Sequence, residues 1–285
     1  MREVTHQIDA NGLSHFVRDI GEENAPAAIL LHGFPDSSAV WQKVTPLLVS
    51  AGFRVLAPDL RGFGRTDMPA KVADYDIATG ALPDILALMD RLNISTAHIA
   101  GHDFGAPVAW MLAAQHPDKF KTLTALSVGH MRAFLSAGAE QKWRSLYMVY
   151  HQFRGLCEAT YKFNDWALLR KHWSAHGDID EAISLLSRPG RLTAGLNWYR
   201  ANASIGRMLY PPKPDSRGEE IVRIPTIGIW SGGEKYLTET QMINSAKYVD
   251  APWRYEKIEN ASHWIPYDAP DALAKIMVEH WRLHA

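Results

Sequence analysis

Residues Thr96 to Trp110 read TAHIAGHDFGAPVAW. The first part, Thr96 to Ala100, is a short apolar stretch of strand character, and from Ala106 the chain becomes an apolar run of helical character. Between them, Gly101-His102-Asp103-Phe104-Gly105 has the spacing of a G-x-S-x-G nucleophile elbow with an acid at its centre. Glycines two before and two after the central residue allow a strand to turn sharply into a helix, which thrusts the central side chain above the sheet. A carboxylate in that position cannot follow the serine route to an acyl-enzyme. It can attack an electrophilic sp³ carbon and become an alkyl ester.

Outward from this point, apolar segments alternate with amphipathic ones. Val4 to Ile8 and His15 to Ile20 flank the turn Asn11-Gly12 and predict a leading hairpin. Ala27 to Leu31, Phe53 to Ala57 and Leu123 to Val128 predict strands, with helices over Ser38 to Ser50 and Ile77 to Leu92. The rhythm stops near Gly129. Helical, aromatic-rich segments follow at Lys142 to Phe153, Tyr161 to Trp173, Asp178 to Leu186 and Leu192 to Ile205, then the extended linker Pro211 to Asp215. Strand rhythm resumes at Pro225 to Trp230 and Trp253 to Ile258, with helices at Thr238 to Lys247 and Asp271 to Trp281. This pattern predicts an α/β fold with a mostly parallel sheet flanked by helices. Residues 1–129 and 221–285 are expected to form the core domain and 130–220 an inserted helical cap.

An ester on Asp103 needs a base to activate water. His263 directly follows the last predicted strand, where the chain order nucleophile, acid, histidine puts it. In the loop Ser231-Gly232-Gly233-Glu234 after the preceding strand, Glu234 is the only carboxylate before Glu239, and it is the candidate for orienting the ring. Backbone N–H groups of Phe34, in His32-Gly33-Phe34-Pro35, and of Phe104 are the expected oxyanion donors. His32 and His102 are expected to tie loops together.

Together these pieces resemble the epoxide hydrolases of the α/β-hydrolase superfamily, which also holds haloalkane and haloacetate dehalogenases. The resemblance covers nearly the whole chain through HGFP at 32–35, DLRGFGRTD at 59–67, GHDFG at 101–105, LNWYR at 196–200 and SHW at 262–264. It implies an α/β-hydrolase fold with a helical cap, and two cap tyrosines that hold the epoxide oxygen and protonate it. Tyr199 matches one of them in its NWYR context. The spacing back from Gln152 and Gly155 favours Tyr147 for the other, with Tyr150 as the second candidate. Pro35, Trp198, Tyr150 and Trp264 are expected in the wall of the substrate pocket. Chemically, an alkoxide leaving group profits from a donor that stays protonated, and a phenol near pKa 10 does so at neutral pH.

The expected activity is therefore addition of water to a small apolar epoxide to give a vicinal diol. Haloalkane dehalogenation by the same nucleophile and base is the alternative. It requires halide donors, and Phe104 has none where the related dehalogenases carry tryptophan or arginine; Trp198 and Trp143 are the indoles left for that role. Arg154, Ser262 and Glu234 stand where the family usually has proline, glycine and aspartate, and His130 occupies the loop in which some dehalogenases place their acid. A third reading is a binding protein on a hydrolase scaffold that lacks activity.

Composition narrows the partners. Against 31 acidic residues stand 30 Lys and Arg, a formal charge of -1, so neither nucleic acid nor an anionic membrane is expected. One cysteine, Cys157, precludes an intrachain disulfide, and with no signal-like apolar start a cytoplasmic location is expected. Gly62-x-Gly64 is too short for a dinucleotide fingerprint and the histidines lack metal-ligand spacing, so no cofactor or metal is expected.

Overall fold

The computed structural model describes residues 2–204, 206 and 220–284. Eight strands form one sheet in the order β1-β2-β4-β3-β5-β6-β7-β8. They are β1 (Glu3–Ala10), β2 (Leu13–Ile20), β3 (Ala27–Leu31), β4 (Arg54–Pro58), β5 (Ala97–His102), β6 (Phe120–Leu126), β7 (Thr226–Ser231) and β8 (Trp253–Ile258). The hairpin β1-β2 and the pair β2-β4 are antiparallel. Every later pair is parallel, and all strands but β1 and β8 are flanked on both sides. Burial follows from that position: β4, β5 and β7 are buried at every residue, whereas edge strand β1 alternates exposed and half-buried. The alternation of segments gives the α/β architecture it predicts, and the arrangement is the α/β-hydrolase fold that the family resemblance implies.

Helices α1 (Thr45–Ser50), α2 (Leu82–Arg91) and α3 (Gly105–Gln115) connect the first strands. The predicted helix over Ser38 to Ser50 divides into a 3₁₀ turn at Ser38–Trp41 and α1, with Pro46 starting the second piece. Helix α2 is preceded by a π-turn at Ile77–Ala81, again with a proline, Pro83, at the start of the regular helix. Between β6 and β7 lie α4 (Met131–Leu135), α5 (Ala139–Arg144), α6 (Leu146–Tyr150), α7 (Leu156–His172), α8 (Ile179–Ser187) and α9 (Arg191–Asn202). The predicted Lys142 to Phe153 helix is two short ones separated at Ser145, and α7 is broken at Phe163 to Trp166. No strand falls in this stretch among the described residues, and the linker Pro211 to Asp215 lies outside them. Helices α10 (Glu239–Asn244), α11 (Ile265–Asp268) and α12 (Pro270–Leu283) complete the chain. Among the described residues no helix is long and apolar enough to cross a membrane.

The core holds Trp41, Trp198, Trp264 and Trp281 fully buried, together with several histidines. Burial disfavours the charged ring and pushes His98, His102, His130 and His280 down to about 4 and His151 to about 3. In the unfolded chain the same rings titrate near 6.5. Between these values the unfolded chain binds more protons, so the stability present above pH 6.5 is lost as pH falls toward 4, by up to about 1.4 kcal/mol per pH unit for each ring. His263, raised to about 10, works the other way near pH 7, but its contribution fades below about pH 6, where the ring is protonated in both states, and one ring does not offset five. The urea midpoint is therefore expected to fall clearly from pH 7 to pH 5; equal midpoints would contradict neutral burial of these rings.

Candidate active site

Strand β5 and helix α3 meet at the elbow, and Asp103 between them sits at φ 51, in the left-handed region. That is a strained position for a residue with a side chain, and it aims the carboxylate out of the sheet. The geometry depends on glycine at two points. A Cβ on Gly105 would lie 2.2 Å from Leu31 O of β3, and one on Gly33 would lie 2.2 Å from Asp103 Oδ1. The bare Gly33 lets the next residue reach the carboxylate, and Phe34 N–H donates to Asp103 Oδ1 at 2.8 Å. Phe104 begins α3 directly after the elbow, but of the two expected oxyanion donors it is Phe34 whose N–H bonds the carboxylate among the described residues.

The other carboxylate oxygen, Oδ2, lies 3.6 Å from His263 Nε2. On the far side of that ring, His263 Nδ1 and Glu234 Oε2 are 2.6 Å apart, and Tyr236 N–H donates to Glu234 Oε1 at 2.9 Å. Burial opposes charge on the imidazole, but the Glu234 charge, the close Asp103 carboxylate and the hydrogen bond that the ring donates to Glu234 prevail and raise it to about 10. Asp103 is likewise shifted: burial works against its charge, and His263, then His102 and the Phe34 N–H, outweigh it and hold the carboxyl below its usual range. Glu234 is lowered by the same partnership against its own burial. At neutral pH the resting arrangement is a carboxylate, an imidazolium and a carboxylate in line.

His32 and His102 serve the loops. Leu60 N–H donates to His32 Nε2 at 2.9 Å, which leaves Nδ1–H for Gly33 O at 2.9 Å. His102 Nε2 lies 2.9 Å from the His263 carbonyl and fixes the base loop.

Above Asp103 is a cavity of about 1020 Å³, large enough for a drug-sized ligand and lined by Asp103, Phe104, His263, Tyr147 and Tyr199 among others. The two phenol rings are edge to face, 5.9 Å apart. Burial, followed by neighbouring negative charge, pushes both phenols well above their ordinary value. Both remain protonated donors throughout the neutral range. Of the two candidates on α6, Tyr147 faces the cavity; the Tyr150 hydroxyl is instead bonded to Thr160 Oγ1.

None of the four residues expected in the pocket wall lines this cavity: Pro35, Trp198, Tyr150 and Trp264 are placed elsewhere. The Trp198 indole donates to Arg61 O at 3.0 Å and the Trp264 indole to Asp36 Oδ2 at 3.0 Å, so both are packing residues. Trp143 is 74% exposed on the surface. The wall is formed instead by Pro107, Met111, Phe134, Met148, Trp173 and Tyr236, with others. Tyr236 is the principal residue that sequence reasoning misses. Its ring packs edge on against His263 at 5.3 Å, and its position two residues after Glu234 is the signal that could have found it.

Comparison with known proteins identifies the family and the fold. A family model described as alpha/beta hydrolase fold matches residues 26–270. The chain is 29% identical over 284 residues to AB hydrolase superfamily protein YfhM of Bacillus subtilis, covering 96% of each. It is 30% identical over 279 residues to epoxide hydrolase 3 of Xenopus tropicalis, covering 92% of this chain and 73% of that one. In fold it is similar to the crystal structure of an epoxide hydrolase from Bacillus megaterium in complex with an inhibitor, with a TM-score of 0.86 at 22% identity over 96% of this chain and 99% of the other.

Proposed function

The chain belongs to the epoxide hydrolase family of the α/β-hydrolase superfamily and is a hydrolase, and on that premise we propose that it opens small apolar epoxides through an ester on Asp103 and releases vicinal diols. The observation that carries this reading is the shared cavity, with a carboxylate at its floor, two phenol rings packed edge to face in its wall and a carboxylate-backed imidazole beside the carboxylate. Residues 130–220 act in this proposal as a cap domain on a core of 1–129 and 221–285, because Tyr147 and Tyr199 both come from the inserted stretch.

In the first step Asp103 Oδ2 attacks a ring carbon while Oδ1 stays on the Phe34 N–H. The carbon–oxygen bond of the strained ring breaks, and Tyr199 or Tyr147 protonates the departing alkoxide. Ester formation removes the Asp103 charge, and with it one of the influences that raise His263. The ring then gives up its proton, which restores the tyrosine that protonated the alkoxide, and becomes the base that the second step needs. Water deprotonated by His263 attacks Asp103 Cγ, the Phe34 N–H holds the developing oxyanion, and the Cγ–O ester bond breaks as the departing alkoxide takes the second proton of that water, which frees the diol and restores the carboxylate and the imidazolium. Glu234 stabilises the imidazolium formed in that step.

Loss of both phenols, in the Tyr147→Phe, Tyr199→Phe double variant, is expected to slow ring opening by about 10²–10⁴-fold. Each single variant loses less, since the remaining phenol still donates. Single-turnover rapid quench measures this, and an unchanged alkylation rate in the double variant would move the proton donor elsewhere.

Dehalogenation has weaker support. The Trp198 indole is committed to Arg61 O, Trp143 is on the surface, and the Trp110 indole donates to Val128 O at 3.2 Å. Trp173 is the indole that a halide reading would have to use. Styrene oxide assayed beside a small haloalkane panel, with diol and halide both monitored, separates the readings. Diol without halide is expected; halide without diol would transfer Asp103 and His263 to dehalogenation. A cytoplasmic location, in keeping with the single buried Cys157, completes the proposal.

A further inference from the structure

The two glycines before Glu234 bond β8 and the loop after it, Gly232 N–H to Ile258 O at 3.0 Å and Gly233 N–H to Ala261 O at 2.9 Å. Beyond them, residues 234–238 are held from the inserted stretch. Arg144, at the end of α5, donates through one guanidinium nitrogen to Glu234 O at 3.2 Å and Leu237 O at 2.6 Å. Its other nitrogens donate to Glu140 Oε1 at 3.1 and 2.7 Å, which fixes the direction of the fork. One turn earlier, buried Gln141 accepts from Thr238 N–H at 2.8 Å and from the Thr238 hydroxyl at 3.1 Å. Its amide nitrogen donates to Tyr236 O at 3.2 Å and Ser145 Oγ at 3.0 Å.

Two side chains of one short helix thus take up three carbonyls and one N–H of residues 234–238. The same helix leads, three residues after Arg144, to Tyr147 in the cavity wall. The hydrogen bonds of both side chains go to α5 and its ends and to residues 234–238, not to Asp103, although Gln141 also borders the cavity. We infer that Arg144 and Gln141 are positioning residues that set the Glu234 carboxylate against His263 and tie that placement to the position of the Tyr147 phenol. The inserted helices then complete the acid–base pair of the core as well as covering it. This inference rests on the epoxide hydrolase reading for its kinetic consequence, but not for its structural one.

The structural consequence is measured without substrate, by NMR titration of the His263 ring. That ring faces Asp103, Glu234, the His102 ring at 4.8 Å and the Tyr236 ring at 5.3 Å. In Arg144→Ala and in Gln141→Leu the Glu234 carboxylate is less firmly held. The His263 titration midpoint is expected to fall by about one pH unit, a tenfold weaker hold on the proton. Arg144→Lys, which keeps a donor near Leu237 O, is expected to restore part of the shift. In single-turnover assays with an epoxide, breakdown of the alkyl-enzyme should slow by about tenfold, while alkylation, which does not use Glu234, changes less. Arg144 is partly exposed, so its alanine variant is expected to fold even if Gln141→Leu does not. Parent-like His263 titration in folded Arg144→Ala would overturn the inference. A parent protein that turns over no epoxide would overturn the proposed function and leave the titration result standing.

Discussion

His263→Gln protein exposed to an epoxide is expected to accumulate with Asp103 carrying the full mass of the substrate. In the proposed mechanism the two half-reactions use different groups: alkylation needs the Asp103 carboxylate and the phenols of Tyr147 and Tyr199, whereas breakdown of the ester needs a base within reach of the carboxylate. His263 Nε2, 3.6 Å from Asp103 Oδ2, is the base so placed. Glutamine fills the space and cannot take the proton, so diol release should fall by about 10²–10⁴-fold while the adduct forms. Peptide mapping by mass spectrometry locates the added mass. Folded protein with no adduct at Asp103 would sink the proposed order of steps.

Asp103→Asn is expected to cost still more, about 10⁴-fold or greater in diol formation, because it removes the nucleophile from a group that acts as a unit. The substitution leaves the frame intact. Asparagine tolerates the φ of 51 at this position and still offers an oxygen to the Phe34 N–H. An intact fold with turnover near that of the parent would remove Asp103 from the mechanism.

Much of this arrangement is legible in the sequence because it depends on backbone geometry that few residues tolerate. The elbow needs glycines where the helix crosses β3, and the loop at Gly33 needs one where the carboxylate approaches. Placing Glu234 and His263 required only the order of strands and the loops that follow them. The pocket wall was not legible for a related reason: neighbours in sequence are not neighbours in direction. Trp198 precedes Tyr199 on α9, and adjacent helical residues point about 100° apart, so one enters the cavity while the other turns to Arg61. Trp264 follows His263 and is drawn away by Asp36. The clasp of Arg144 and Gln141 on residues 234–238 spans about 90 positions in the chain, and no local pattern announces it.

The central claim, that water attacks an Asp103 ester and not the epoxide itself, is tested by a single turnover in ¹⁸O-labelled water with enzyme in excess. Ring opening by Asp103 followed by attack on Cγ puts an Asp103 oxygen into the diol and leaves the label in the Asp103 carboxylate. The account predicts unlabelled diol from the first turnover and an Asp103 peptide heavier by one ¹⁸O. Labelled diol from that turnover, with an unlabelled peptide, would mean that water opens the ring directly and would contradict it.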